Sequence, residues 1–222
     1  VDVDELQAYL QGDGAAYRPG FLEFLRSRKF RIQAAQAVMI FRLARRLDIH
    51  DLTVMYGRLA WLGDAQAYMI PEIVDSVKQG GLNDTIWQDA GVLVIDRKNS
   101  ANDLCRYLQF YAEIARSFND VARLRTLLHI AQEHKGEDAW YKKVSPRKAQ
   151  PLIAELIRLK MYTEAEAMTL RFDVLPIRYL REMIRQGRAG AAVAVPDERW
   201  GKILDDVGND IDAFNLARMV AI

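Results

Sequence analysis

The clearest structural signal in this sequence is the stretch from Ile32 to Leu47, which reads IQAAQAVMIFRLARRL. Its apolar residues recur three or four positions apart, and three arginines lie between them. This spacing places the apolar side chains on one face of a helix and the charged side chains on the other. The stretch therefore predicts an amphipathic α-helix with one buried stripe.

The same spacing recurs along most of the chain. It is found in residues 52–62, 104–115, 124–131, 152–159 and 177–184. The one apolar β-branched run, Val92 to Ile95, has aspartates on both sides, which favours the end of a helix over a strand. We therefore predict an all-α fold, an irregular stack of antiparallel helical hairpins that is either solenoid-like or a large helical bundle.

Polar residues mark the expected starts of helices. Ser145–Pro146 is typical of an N-cap followed by proline at the first helical position, where the missing N–H is not needed. Ser100 with Asp103, and Thr163 with Glu166, have the spacing of a capping box. These residues predict helices that begin near positions 101, 146 and 164.

Glycines mark the expected ends. Gly80–Gly81, Gly136 and Gly187 follow apolar stripes, and glycine is the residue that most often terminates a helix. Pro71 lies within an otherwise helical pattern, so we expect it to kink or restart the helix.

The composition excludes several classes of protein. Lysine and arginine number 31 against 30 aspartates and glutamates, which gives a formal net charge of +1. A nearly neutral chain has no overall field to draw it to nucleic acid or a membrane surface, so any such attraction must come from local clusters. Half of the residues are hydrophobic, which is typical of a folded protein rather than a disordered one.

The single cysteine, Cys105, excludes an intrachain disulfide and favours an intracellular, reducing compartment, either cytoplasm or organelle matrix. No apolar run approaches the roughly 20 residues that a spanning helix needs, so we predict no membrane-spanning segment in this chain. The sequence begins at Val1 without a methionine. We therefore expect a longer parent chain, which leaves room for an upstream targeting or membrane segment.

Two stretches resemble joints between parts of the fold. Residues 136–145 are mostly polar, and residues 187–196 are mostly small. We predict a helical-hairpin body over residues 1–190 and a C-terminal helical cap over residues 191–222.

Three segments share a local pattern of helix end, turn and new helix. They are Tyr56–Ala65, Tyr111–Asp120 and Ile157–Ala167. A hairpin of short helices needs a small residue where the backbones approach and a polar cap to begin the second helix. In this the segments resemble the helical-hairpin repeats of the tetratricopeptide and pentatricopeptide families, which stack into α-solenoids. The resemblance implies an interaction module; an irregular bundle that uses common turn chemistry is the alternative.

The sequence contains no recognisable catalytic centre. His129 and His134 are five residues apart, which separates them by roughly 140° around a helix, whereas two zinc ligands need one face. No nucleophile elbow or phosphate-binding glycine loop is present, and Cys105 has no activating neighbour in the sequence. We therefore predict no enzyme activity, no metal and no cofactor.

The most ordered charge pattern lies near the C-terminal end of the periodic region. Arg178, Arg181, Arg185 and Arg188 recur three, four and three residues apart, so all four lie on one helical face. Guanidinium groups bind carboxylates and phosphates with two hydrogen bonds, which suits either a protein or a nucleic-acid partner. An equally weighted alternative is a solvated face whose charges are compensated within the fold. We call these four residues the arginine face.

Two further clusters are candidates for partner binding. One is Arg42, Arg45 and Arg46; the other is Trp140, Lys142 and Lys143, followed by Arg147–Lys148. The second mixes aromatic and cationic side chains, as single-stranded nucleic-acid sites often do. For both clusters an ordinary solvated surface is the favoured interpretation.

Two functions remain open from the sequence. In the first, the chain is an adaptor or scaffold that binds a protein partner, such as an acidic segment, or a second copy of itself. In the second, it binds RNA or single-stranded DNA through its basic faces. The neutral net charge favours the first, because nucleic-acid-binding domains are commonly basic.

Overall fold

The computed structural model describes residues 3–27, 32–63, 69–96, 99–134 and 140–193. Within these ranges every regular element is helical, so the predicted all-α fold is confirmed. The α-helices are α1 (Val3–Gln11), α2 (Arg18–Ser27), α3 (Ala34–Arg46), α4 (His50–Gly63), α5 (Met69–Gln79), α6 (Asn83–Ile95), α7 (Ala101–Phe118), α8 (Val121–His134), α9 (Pro146–Arg158), α10 (Tyr162–Thr169) and α11 (Leu175–Arg188). Short 3-10 turns at Ala15–Tyr17 and Trp140–Lys143 precede α2 and α9. None of the helices described here is long and apolar enough to cross a membrane.

The chain divides into two compact units, with the boundary between Asp89 and Ala90 inside α6. The first unit holds α1 to α5 and the second holds α7 to α11. The C-terminal cap predicted over residues 191–222 falls almost entirely outside the described residues.

In the first unit, α3, α4 and α5 pack around a glycine in the middle of α4. A Cβ atom on Gly57 would lie 2.7 Å from the Ile73 side chain and 2.9 Å from the Phe41 ring, so only glycine fits at this position without displacement. Near the other end of α4, Gly63 lies against Ala34 at the start of α3, so α3 and α4 run antiparallel. The helix end predicted within Tyr56–Ala65 falls at Gly63, and the residues that follow lie outside the described residues. Helix α4 continues through Gly57, where the glycine allows a close helix contact.

In the second unit, α7 and α9 run parallel. Near their starts, the backbone N–H of Ser145 donates to the Asn102 side chain at 3.2 Å. Toward their ends, Arg116 Nε donates to Glu155 at 3.1 Å. The same ends of both helices therefore lie side by side.

Helix α11 continues the layer formed by α7 and α9. A short turn after α9 leads into α10, which contacts both α9 and α11. Gly187, near the end of α11, packs on Tyr162 at the start of α10, so these two helices run antiparallel. Helix α9 also contacts α11, so α9 has both α7 and α11 as neighbours in this layer.

One turn geometry recurs between successive helices. Asp48, Gly81, Asn119 and Lys160 have positive φ angles of 53° to 62°. In each turn the N–H of the next residue donates to the carbonyl five residues earlier at 2.8 to 2.9 Å, as in a Schellman motif. The four turns join α3 to α4, α5 to α6, α7 to α8, and α9 to α10, and they are 33, 38 and 41 residues apart.

Two of the three predicted helix starts are confirmed. Ser100 and Asp103 form a capping box at α7, and Ser145 is the N-cap of α9 with Pro146 in the first turn. The capping box predicted at Thr163 is wrong, because α10 begins at Tyr162 and Thr163 lies inside it. The tight turn at Lys160 leaves room for only one more residue before α10 begins.

The glycine predictions had mixed outcomes. Gly80–Gly81 ends α5 as predicted, and Pro71 lies in the first turn of α5, where a helix restarts. Helix α11 ends at Arg188, one residue after the end predicted at Gly187, and the left-handed turn that follows uses Gly190. Gly136 lies outside the described residues.

Candidate functional site

Two residues of the arginine face, Arg178 and Arg185, pair with nearby acids. Arg178 Nε lies 2.7 Å from Asp173, just before α11, and Arg185 lies 2.7 Å from Glu182 in the same helix. The hydrogen bond from Arg178 lowers the pKa of Asp173 and raises the pKa of the guanidinium group itself. The Glu182 carboxylate likewise raises the pKa of Arg185. Both pairs are exposed at the arginine, so each contributes little to stability.

The other two residues of the arginine face hold α11 against α10. Arg188 lies 2.7 Å from Glu166 of α10. Arg181 donates to the backbone carbonyls of Thr169 and Phe172, at 2.6 and 3.2 Å. A cation at the C-terminal end of a helix interacts favourably with the exposed carbonyls and the helix dipole. The structure therefore brings all four arginines together on one helix and engages each of them within the fold.

The cluster on α3 is also engaged. Arg45 lies 3.4 Å from Glu72 of α5, and Arg46 forms an ion pair with Asp4 of α1. Arg42 is exposed on the same helix. In the first unit these ion pairs connect α3 to α5 and to α1, so Arg45 and Arg46 help to hold these helices together.

The third cluster differs from the other two. Lys142 and Lys143 are exposed on the turn before α9, while the side chain of Trp140 lies outside the described part of the chain. Arg147 and Lys148 follow as exposed residues in the first turn of α9, which contains no acid.

Three cations of this cluster have no carboxylate partner among the described residues: Lys143, Arg147 and Lys148. We call them the basic edge, since they lie where α9 begins. Glu137 and Asp138, which precede the cluster in sequence, lie outside the described residues. Of the clusters predicted from the sequence, this one retains charge that the described fold does not neutralise.

Sequence reasoning missed a buried acid in the second unit. Glu155 of α9 is buried, and its carboxylate accepts hydrogen bonds from Arg116 of α7 and from Arg158 one turn later. The available signal was an acid within the apolar run from Leu152 to Ile157. A carboxylate at such a position requires charged partners, because burying it alone would be costly.

Exposed aromatic side chains in the first unit were also missed. Tyr9, Tyr17 and Phe24 are 49%, 68% and 53% exposed. Tyr17 and Phe24 are seven residues apart along a continuous helical stretch, close to two turns, so they share a face. Tyr9 and Tyr17 both border Gly14, the first through its ring and the second through a backbone hydrogen bond. We call the three residues the aromatic strip; the seven-residue spacing could have indicated it.

The remaining residues singled out for chemistry have ordinary surroundings. His129 is exposed and its Nε2 lies 3.2 Å from Glu133 of the same helix, while the side chain of His134 is outside the described part. Cys105 is buried, and its thiol donates to the backbone carbonyl of Lys148 at 3.1 Å. Burial raises the pKa of Cys105 to about 12, and the charge of Lys148 acts in the opposite direction.

Among the described residues, no three histidine, cysteine, aspartate or glutamate side chains are grouped so that they could hold a metal ion. No protein-family model, curated protein or solved structure matches this chain.

Proposed function

We propose that this chain is a non-enzymatic stack of helical hairpins that binds a protein partner as an adaptor or scaffold within a larger assembly. The stack is supported by the Schellman turn that recurs at Asp48, Gly81, Asn119 and Lys160. Their spacing brackets the roughly 34-residue period of tetratricopeptide repeats and their relatives. The parallel packing of α7 and α9, with α10 and α11 both in contact with α9, is the packing expected of stacked hairpins.

The observation that carries a protein partner is the aromatic strip. Tyrosine and phenylalanine are enriched at protein interfaces, where they bury large areas at low cost in side-chain entropy. Two exposed acids, Asp13 and Glu23, stand beside it in sequence. Their negative charge would repel a phosphate backbone. The exposed aromatic rings beside them form an apolar surface that suits a protein partner.

The alternative partner, RNA or single-stranded DNA, relies on the basic faces. Nucleic-acid affinity rises with the number of phosphates that lysine and arginine neutralise. Within the described residues the arginine face and the pairs formed by Arg45 and Arg46 are committed to internal partners. Phosphate binding would require these internal contacts to be broken, so a protein partner is favoured over a nucleic acid.

The proposal is tested by placing a photo-cross-linking amino acid at Tyr9 of the full-length protein in its source cells. We expect protein adducts that resist nuclease and that decrease when Tyr17 and Phe24 are both replaced by alanine. The matched control carries the cross-linker at Gln79, an exposed polar position at the end of α5.

The recovered partner is then purified and titrated against both versions of the protein. Saturable binding that weakens at least tenfold in the double variant supports the proposal, and a second copy of this chain counts as a partner. Adducts that nuclease removes would favour the nucleic-acid alternative. Adducts no more abundant than at Gln79 would contradict a partner at the aromatic strip.

A further inference from the structure

We propose that the basic edge, Lys143, Arg147 and Lys148, docks an acidic segment of a protein, which rests on the proposed function that the partner is a protein. The three side chains are exposed and lie within one helical turn of the start of α9. Arg171 follows α10 in the loop that leads to α11, and it too is exposed. Among the described residues none of the four cations has a carboxylate partner.

The direction of the helices makes this concentration of positive charge unfavourable for the fold alone. Helices α7 and α9 run in the same direction, so their N-terminal ends, which carry the positive ends of the helix dipoles, lie along one border of the second unit. An acid is the stabilising choice at such an end, and α7 has one in Asp103. The first turns of α9 and α11 have none. At α9, cations stand where the dipole favours acids.

No internal contact explains why these cations are at this border. The Ser145 amide at the N-cap is bonded to Asn102, and the N–H groups of the first turn of α9 are donors that a cation cannot pair with. Asp103 accepts a hydrogen bond from the Ser100 hydroxyl at 2.6 Å, as part of the capping box of α7. A sequence feature that opposes local stability without an internal gain marks a functional position. Positive charge at this border is compensated when an external anion binds.

The size of the basic edge favours an acidic protein segment over nucleic acid. Three cations around one helical turn match two or three carboxylates of a short peptide, with the Arg147 guanidinium able to bind one carboxylate through two hydrogen bonds. A nucleic-acid groove needs a longer track of cations along the backbone. The arginine face, which could extend the track within this unit, is engaged by Asp173, Glu182, Glu166 and two carbonyls.

The test measures binding of a labelled ten-residue glutamate peptide to the full chain over a salt series. The first variant replaces Lys143, Arg147 and Lys148 with glutamine. The matched control replaces Arg178, Arg185 and Arg188 with glutamine, which removes the same number of positive charges from a different place. A ten-nucleotide single-stranded RNA and an uncharged serine-glycine peptide are titrated in parallel.

We expect saturable binding of the glutamate peptide that weakens with salt, decreases at least tenfold in the first variant and changes less than twofold in the control. Equal losses in both variants would assign the binding to net charge and overturn the proposal. Tighter binding of the RNA with the same dependence on the basic edge would overturn the choice of partner. No binding of either ligand at low salt would overturn the site.

Failure here is distinguishable from failure of the proposed function. If the partner captured at the aromatic strip binds the first variant as tightly as the unmodified chain, and the glutamate peptide does not bind, the basic edge has no docking role while the adaptor function stands.

Discussion

The arginine face and the basic edge are both rows of cations on amphipathic helices of the same unit, yet their surroundings are opposite. On α11, three arginines meet carboxylates and Arg181 meets two carbonyls at the end of α10. At the start of α9, Lys143, Arg147 and Lys148 meet no carboxylate that the structure describes. The arginine face, which has the more regular sequence pattern, is thus the one whose cations are paired within the protein.

Several of the engaged cations also differ from the basic edge in the helix end at which they stand. Arg181 stands at the C-terminal end of α10, and Arg116 and Arg158 meet Glu155 toward the C-terminal ends of α7 and α9. Cations at such ends are favoured by the helix dipole. The basic edge stands at an N-terminal end, where the dipole opposes it. The charges of Arg181, Arg116 and Arg158 are therefore favoured by the helix ends at which they stand, whereas the charge of the basic edge is not.

The largest effect we expect concerns the thiol beneath the basic edge. With the pKa of Cys105 near 12, only about one thiol in 10⁴ is ionised at pH 8, and the thiolate is the reactive form. Labelling by a thiol-specific disulfide reagent should be at least a thousandfold slower in the native protein than in urea, and should accelerate as the pH rises. Native labelling at the rate of a free cysteine would show that α7 and α9 do not pack closely under the basic edge.

The next effect tests the paired cations. Replacing Glu155 with alanine removes a buried carboxylate that Arg116 and Arg158 share. We expect the free energy of unfolding to fall by about 2 to 4 kcal/mol, which is less than for a fully buried pair because both arginines are partly exposed. The matched change is Glu133→Ala, which removes an exposed acid paired with His129 and should cost less than about 0.5 kcal/mol. Urea unfolding measures both. Equal losses would mean that the Glu155 network does not join the helices.

A smaller effect distinguishes Arg181 from its neighbours on the arginine face. Arg181→Ala removes the side-chain donor to the carbonyls of Thr169 and Phe172, of which Thr169 keeps the Phe172 N–H, and should cost about 1 to 2 kcal/mol. The exposed Arg185 serves as the control, since Arg185→Ala should cost less than about 0.5 kcal/mol. Thermal unfolding at low and high salt separates the two, because only the exposed ion pair is strongly screened. If Arg181→Ala were neutral, the arginine face would be open to a partner after all.

Much of the fold was predictable because its signals are local. The apolar spacing of α3, the capping box at Ser100 and the glycine turn at Gly80–Gly81 each depend on residues within one or two helical turns. The pair formed by Arg185 and Glu182 could also be expected from their spacing.

The state of each basic cluster was not predictable, because the partners are distant in sequence. Glu166 precedes Arg188 by 22 residues, and Glu72 follows Arg45 by 27. The sequence shows which residues share a helical face but not which residues of another helix meet them. Gly187 shows the same limit, since only the contact with Tyr162 explains why a glycine stands inside α11.

The most direct test of the difference between the two rows is the stability of two charge-reversal variants. One has Lys143, Arg147 and Lys148 changed to glutamate, and the other has Arg178, Arg185 and Arg188 changed to glutamate. At the basic edge, acids near the start of α9 should stabilise the protein at low salt by about 0.3 to 1 kcal/mol for each residue in the first turn. On the arginine face, the new acids would oppose Asp173, Glu182 and Glu166 and should destabilise it. Urea unfolding at low salt should therefore shift to a higher midpoint for the first variant and to a lower midpoint for the second. A lower midpoint for the first variant would contradict the account, because the basic edge would then be needed for folding.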